Sequence, residues 1–323
     1  MGFSIRAQAA INFARRTHAR YDLNVPVDLE TLARKHADLK FRDIPFDIDG
    51  VSVNLKKKGK RPTIIVNKTR PQSRQRFTLA HEIGHVIIPW HMGTIFDITE
   101  PHVSEGAVDY WEMESEANTF ATELLMPKDW VSSFVKENID VAQVHRAVRE
   151  GADVSFIAAA LRLRSLLPPG YAFAAYNSEN RVTYSGKSVN THFSPPVPGE
   201  IVDTGSFSSQ AEELFEIDTG WDRYIWAKFP TKVALPSDTR RPWQDTLNEI
   251  IRDTAGTEEQ KKKYLQRLNG VLGFANGVAR QNAFSEEELC SVCMQRLGTN
   301  FHLKPLVAHE LFPEFLSAKI REL

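Results

Sequence analysis

Two histidines stand four residues apart in the apolar run Phe77-Thr78-Leu79-Ala80-His81-Glu82-Ile83-Gly84-His85-Val86-Ile87-Ile88. On a helix, positions i and i+4 share a face, so both imidazoles can grip one zinc ion. Glu82 lies beside them, placed to take a proton from a water at the metal rather than to bind the metal itself. The bare H-E-x-x-H pattern also arises by chance. Here Ala80, Ile83, Gly84, Val86, Ile87 and Ile88 make a helix that must be buried. Buried His and Glu need partners, and a metal is the simplest one.

A catalytic zinc site takes three protein ligands and keeps one position for water. The helical segment from Glu112 to Pro127 offers the third ligand. Glu114 and Asn118 share a face with Ala121 and Leu125, and that face points to the core. A carboxylate there is costly unless it meets the metal. Asn118 can then hold a ligating histidine from behind. Glu112 and Glu116 fall on other faces and are expected to be solvated, with either left as an alternative ligand. His91 follows His85 by six, which is metzincin spacing. That pattern has a glycine three residues after the second histidine, to turn the chain, and Ile88 stands there. His91 is therefore expected as a substrate-contacting or plain loop histidine. The donor that steadies a developing oxyanion has four candidates: His91, His102, Tyr110 and Arg76.

The elements that must position these groups read as α+β. Ser4 to about Ala19 and Leu29 to His36 are helical, the second capped by Asp28. Short extended stretches follow at 39–44, 51–55 and 63–66, with Lys56 to Lys60 as a solvated hairpin tip. The metal-site helix starts near Pro71 and ends at Pro89. The chain is irregular from His91 to Tyr110, and a second long helix runs from about Trp111 to Leu125. The expected division is a zinc peptidase domain over 1–130, a helical segment over 131–168, a β-rich region over 169–238 and a helical region over 239–323.

Composition agrees with a soluble globular protein: 42% hydrophobic and 25% charged over 323 residues, with a formal charge of −1. That charge calls for neither nucleic acid nor membrane. No stretch reaches the roughly 18 apolar residues that span a bilayer, and residues 1–8 lack the apolar block of a signal peptide. Cys290 and Cys293 are the two cysteines. They fit structural thiols in a reducing cytosol, because no second ligand pair flanks them. In the far half, 171–177 and 181–184 read as a β-hairpin. The aromatic run Trp221 to Pro230 reads as a buried strand. Helices are expected over 243–253, 258–279, 286–297 and 313–323.

The segment Arg76 to His85, followed by Glu114-Ser115-Glu116-Ala117-Asn118-Thr119-Phe120-Ala121 and Leu124-Leu125-Met126-Pro127, resembles the ImmA/IrrE family of metallo-endopeptidases. Pro26 to Ala33 and Thr63 to Asn67 are also similar, so the resemblance covers roughly residues 5–165. It implies a gluzincin-like peptidase domain, with a small antiparallel-type sheet packed on helices. It implies zinc, or manganese in its place, on His81, His85 and Glu114, with Glu82 as the base. It also implies a cytoplasmic bacterial enzyme that cleaves a helix-turn-helix repressor and so induces stress-response or mobile-element genes. Val141 to Leu163 could be a helix-turn-helix-like segment, with Asp153-Val154-Ser155 as its turn and Ser155 as a cap. Its second helix is mostly apolar, which favours packing or repressor docking over base reading. Two other functions stay open from the residues: a non-catalytic, metal-containing regulator that binds DNA or a partner protein, and a hydrolase of non-peptide amides.

Overall fold

A computed structural model describes residues 5–98, 107–135, 140–201, 207, 211–234, 236, 241–281, 284–298 and 300–322. The chain divides into two compact units, Met1–Leu166 and Leu167–Leu323. No described helix is long and apolar enough to cross a membrane.

The first unit opens with helices α1 (Ile5–Tyr21) and α2 (Leu29–His36). Asp28 caps α2 by accepting from the Thr31 backbone N–H at 3.0 Å, a bond of the kind that contributes about 1 kcal/mol. Strands β1 (Asp38–Arg42), β2 (Ile48–Leu55) and β3 (Thr63–Asn67) follow, then helix α3 (Gln72–Ile87), strand β4 (Gly93–Ile98) and helix α4 (Ala107–Leu125). The short α5 (Lys128–Ser132) and the pair α6 (Val141–Ala152) and α7 (Phe156–Arg164) complete the unit.

The sheet has the order β1-β3-β2-β4. It is mixed, which corrects the expectation of an antiparallel-type sheet: β1 runs parallel to β3, while β2 is antiparallel to both β3 and β4. The cause is the turn over residues 43–47, which reverses the chain but leaves room for one strand. β3 then enters that gap as the hairpin partner of β2, and so runs the same way as β1. Residues 93–98, expected to be irregular, form the edge strand β4, and α4 begins four residues earlier than expected. His102 lies outside the described residues.

Between α6 and α7 the chain turns at Asp153, which takes the left-handed conformation at φ 52°. Ser155 caps α7 by accepting from the Ala158 N–H at 3.2 Å.

The second unit carries an antiparallel sheet of order β6-β5-β8-β7, built from β5 (Tyr171–Tyr176), β6 (Val182–Lys187), β7 (Glu213–Asp218) and β8 (Arg223–Lys228). Every residue of β5 is buried, as expected of a strand with helix-like apolar content covered on both faces. Trp226 is fully buried beside Phe173, with ring centroids 4.9 Å apart, whereas Trp221 is 87% exposed. The aromatic run is thus a buried strand only from Arg223 onward. Strand β7 was not expected; its acids Glu213, Glu216 and Asp218 break the period-two pattern of a strand. Helices α8 (Trp243–Thr254), α9 (Glu258–Gln281), α10 (Glu286–Gly298), α11 (Lys304–Val307) and α12 (Phe312–Ile320) follow. They share a core that includes Leu247, Ile250, Leu268, Cys293, Phe315 and Leu316. Cys290 and Cys293 are free and buried on α10. Desolvation raises their thiols to about 11 and about 12, so they lack the thiolate that reactive or metal-binding cysteines need.

Candidate metal centre

Helix α3 is buried without interruption from Thr78 to His85. A helix enclosed all round needs close neighbours on every side, and two glycines allow them. A Cβ at Gly84 would come within 3.0 Å of the Phe120 ring on α4. On the sheet side, a Cβ at Gly50 of β2 would lie 2.6 Å from Glu82 Oε1 and from the Thr78 methyl. The face of β2 formed by Gly50 and Ser52 is therefore small enough to admit the Glu82 carboxylate. Ser52 Oγ donates a short hydrogen bond to Glu82 Oε2. Asp97 of β4 pairs in register with Gly50, and so faces the same helix.

The three expected ligands come together. His81 Nε2 and His85 Nε2 are 2.9 Å apart. Glu114 Oε2 lies 3.1 Å from His81 Nε2, and Glu114 Oε1 lies 3.4 Å from His85 Nε2. All three side chains are buried, and their facing atoms form a group able to hold a metal ion. His81 Nδ1 is 3.0 Å from Asn118 Oδ1. A carbonyl oxygen only accepts, so His81 Nδ1 carries a proton and Nε2 is the nitrogen left to face His85 and Glu114. Glu114 Oε1 and Glu82 Oε1 are buried with no hydrogen-bond donor. Ring nitrogens and carboxylate oxygens converging on one buried point fit a divalent cation.

The electrostatics agree. Burial pushes the Glu82 carboxyl up to about 8, against the pull of His81 and Ser52. Burial likewise raises Asp97. Glu114 is held down at about 2: burial opposes its charge, but hydrogen bonds from His81 and His85 outweigh it. His85 is driven down to about 3 by burial. For His81 burial also acts downward, yet the Glu114 hydrogen bond and the charges of Asp97 and Glu114 lift it to about 9. The cluster thus retains one positive charge on an imidazole opposite Glu114, in the place where a cation would sit.

The other expected residues fall in three groups. Asn118 meets His81, as described. Tyr110 lies one turn before Glu114 on α4 and packs edge-on against Trp111, with centroids 6.0 Å apart. Arg76 is not brought to the cluster: its Nη2 donates to the Val27 carbonyl at 2.9 Å and its Nε lies 3.5 Å from Asp153. His91 stands in the loop between α3 and β4, outside the group of facing ligand atoms. It is fully buried, with Nδ1 2.8 Å from Nδ1 of His85 and Nε2 3.0 Å from Glu116 Oε2. Glu112 is exposed, but Glu116 is 2% exposed, which corrects the expectation that both are solvated. The reason is α1, which packs along that side of α4 and sets Arg6 Nη1 3.8 Å from Glu116 Oε1. Lys56 is also not a free hairpin tip, since it donates at 2.8 Å to the carbonyls of both His85 and Val86 and so caps the end of α3. Ser52, Gly50 and Asp97 were missed, although small polar residues alternating with Val51, Val53 and Leu55 mark a face that must admit something bulky.

A family model described as the IrrE N-terminal-like domain, a peptidase family, matches residues 34–164. The chain is 30% identical over 114 residues to the radiation response metalloprotease IrrE of Deinococcus radiodurans, covering 35% of this chain and 34% of that protein. It is 36% identical over 94 residues to the uncharacterized immunity region protein 2 of Bacillus phage phi105, covering 29% of this chain and 56% of that one. The matched regions thus span about a third and somewhat over half of these relatives. Among solved structures, a Mycobacterium tuberculosis transcriptional regulator aligns over 68% of this chain and 76% of its own, at 13% identity and a TM-score of 0.41. Residues 34–164 thus match the IrrE N-terminal-like domain of a peptidase family, and the two relatives place the likeness with ImmA/IrrE proteins.

Proposed function

We propose that the chain is a zinc-dependent endopeptidase that cuts a regulatory protein, with a helix-turn-helix repressor as its substrate and stress-response or mobile-element genes as its output. The observation that carries this reading is the convergence of His81, His85 and Glu114 on one buried point, with the buried carboxylate of Glu82 beside it, which also groups with His81 and Asp97. The immunity-region name of the phage relative supports a repressor as substrate, and the place of action is the cytoplasm. The ligand arrangement is gluzincin-like. A divalent ion on His81, His85 and Glu114, zinc or manganese, would polarise a scissile carbonyl and acidify a water.

The chain's own groups do the rest. Glu82, fully buried beside His81, takes the water proton and delivers it to the leaving amine. Ser52 fixes the carboxylate by occupying one oxygen. Asn118 holds His81 in the tautomer that offers Nε2. Tyr110, one turn from Glu114, is the candidate to donate to the oxyanion. We assign α6 and α7 to docking the substrate protein, because Ala159, Ala160 and Leu163 of α7 are buried and leave few side chains to read bases. Within the two compact units we keep the finer division at residues 130, 168 and 238.

Incubating the purified chain with zinc and candidate helix-turn-helix repressors from the same source tests the reading. Scission at one site, lost with a chelator and lost in Glu82→Gln while zinc stays bound, is the expected result. Cleavage by Glu82→Gln at the wild-type rate would overturn the role of Glu82, and an intact repressor would overturn the substrate.

A further inference from the structure

The two ligating histidines are held from behind in different ways. His81 has a neutral amide, Asn118. His85 has another histidine, and that histidine has a carboxylate. The chain runs from His85 Nδ1 to His91 Nδ1 at 2.8 Å, then from His91 Nε2 to Glu116 Oε2 at 3.0 Å. Trp90 Nε1–H donates to the same Glu116 oxygen at 2.5 Å. His85, His91 and Glu116 are all 2% exposed or less.

Proton positions along this chain are not free. If His85 offers Nε2 to a cation, its proton stands on Nδ1, and that N–H must find an acceptor. His91 Nδ1 is then a lone pair, which leaves the His91 proton on Nε2, aimed at Glu116. Each donor meets an acceptor only in this one order. With Glu116 as the fixed acceptor at the end, the reverse order is excluded, because it would aim a lone pair of His91 at a carboxylate.

We propose that Glu116 is a positioning residue for the metal centre: through His91 it locks the tautomer and ring orientation of His85. This rests on the reading of His81, His85 and Glu114 as metal ligands under the proposed function. Trp90 serves the same end by holding the Glu116 oxygen in line.

Two measurements on the full chain test it. In the zinc-loaded wild type, long-range proton–nitrogen NMR should show His85 protonated at Nδ1 and His91 protonated at Nε2. Chelator competition should show Glu116→Gln losing zinc affinity about 10- to 100-fold, the range seen when partners of metal-bound histidines are altered. Glu112→Gln, whose exposed carboxylate shares Arg6 at 2.8 Å, should bind zinc as wild type does. A His91 protonated on Nδ1 would overturn the proposal without any variant having to fold. So would a folded Glu116→Gln with unchanged zinc affinity and unchanged tautomers. Wild type that binds zinc but cleaves nothing would remove the peptidase reading and leave this one standing.

Discussion

Replacing Gly50 with alanine separates the base from the metal. Gly50 does not use the left-handed backbone region, so alanine is acceptable to the main chain and the cost is purely one of space. Its methyl would sit 2.6 Å from Glu82 Oε1, 2.6 Å from the Thr78 methyl and 3.1 Å from Glu82 Cγ, where ordinary contact begins at 3.4 Å. Thr78 is β-branched and fully buried on the helix, so it yields little. The Glu82 carboxylate is the end of a longer side chain and must therefore give way, by about 0.8 Å, the shortfall from 2.6 to 3.4 Å. A displacement of that order at a reacting group costs about 100-fold in rate. Overpacking of this kind lowers stability by about 1–3 kcal/mol. His81, His85 and Glu114 do not touch Gly50, so zinc affinity should hold. Gly84→Ala provides the contrast. Its methyl meets the Phe120 ring at 3.0 Å and presses on α4, the helix that carries Glu114, so it should weaken zinc binding. The assays are repressor cleavage, chelator competition and urea unfolding on both variants. A folded Gly50→Ala enzyme that cleaves within about threefold of wild type would refute the claim that β2 sets the position of Glu82.

Two further outcomes follow from buried charge. Glu123 is buried between α1 and α7, where it accepts from Arg15 Nε at 2.9 Å and from Arg162 through a short bond. Glu123→Ala should cost about 3–5 kcal/mol in urea unfolding, because Arg162, itself only 11% exposed, loses its counter-charge. Arg15→Ala, which removes a half-exposed partner, should cost under about 1 kcal/mol, and equal losses in the two variants would contradict this. His145 is fully buried on α6, with Nε2 2.7 Å from the Phe156 carbonyl. Burial, with Arg146 adding to it, depresses its pKa from 6.5 to about 4. The folded state thus keeps His145 neutral while the unfolded chain takes up a proton below about 6.5, so its contribution is complete above that pH. As pH falls toward 4 the chain should lose roughly 3 kcal/mol at most. His145→Gln should flatten that slope, and an unaltered slope would reject the assignment.

What the sequence reveals of this site follows from what helical periodicity can report. His81, His85 and Glu114 were legible because two imidazoles at i and i+4 must share a face, and a carboxylate on an apolar face needs a cation. Asn118 followed from the same face of α4. Periodicity ranks positions around one helix axis, but it does not say what covers each side. Ser52, Gly50 and Asp97 reach Glu82 through strand register across the sheet, and nothing local to α3 encodes that pairing. The long α4 shows the limit most plainly. Glu116 and Glu123 are seven residues apart, so they share a face, and of that face only Glu116 is read from the sequence, as solvated. The face is buried because α1 and α7 bring Arg6, Arg15 and Arg162 to it. The flanking Ala117, Phe120 and Leu124, all fully buried, carried the missing signal: acids spaced at seven inside an apolar stripe point to a second buried face with buried counter-charges. These ion pairs tie one face of α4 to α1 and α7. On the opposite face Glu114 stands 3.1 Å from His81 Nε2 and 3.4 Å from His85 Nε2 of α3.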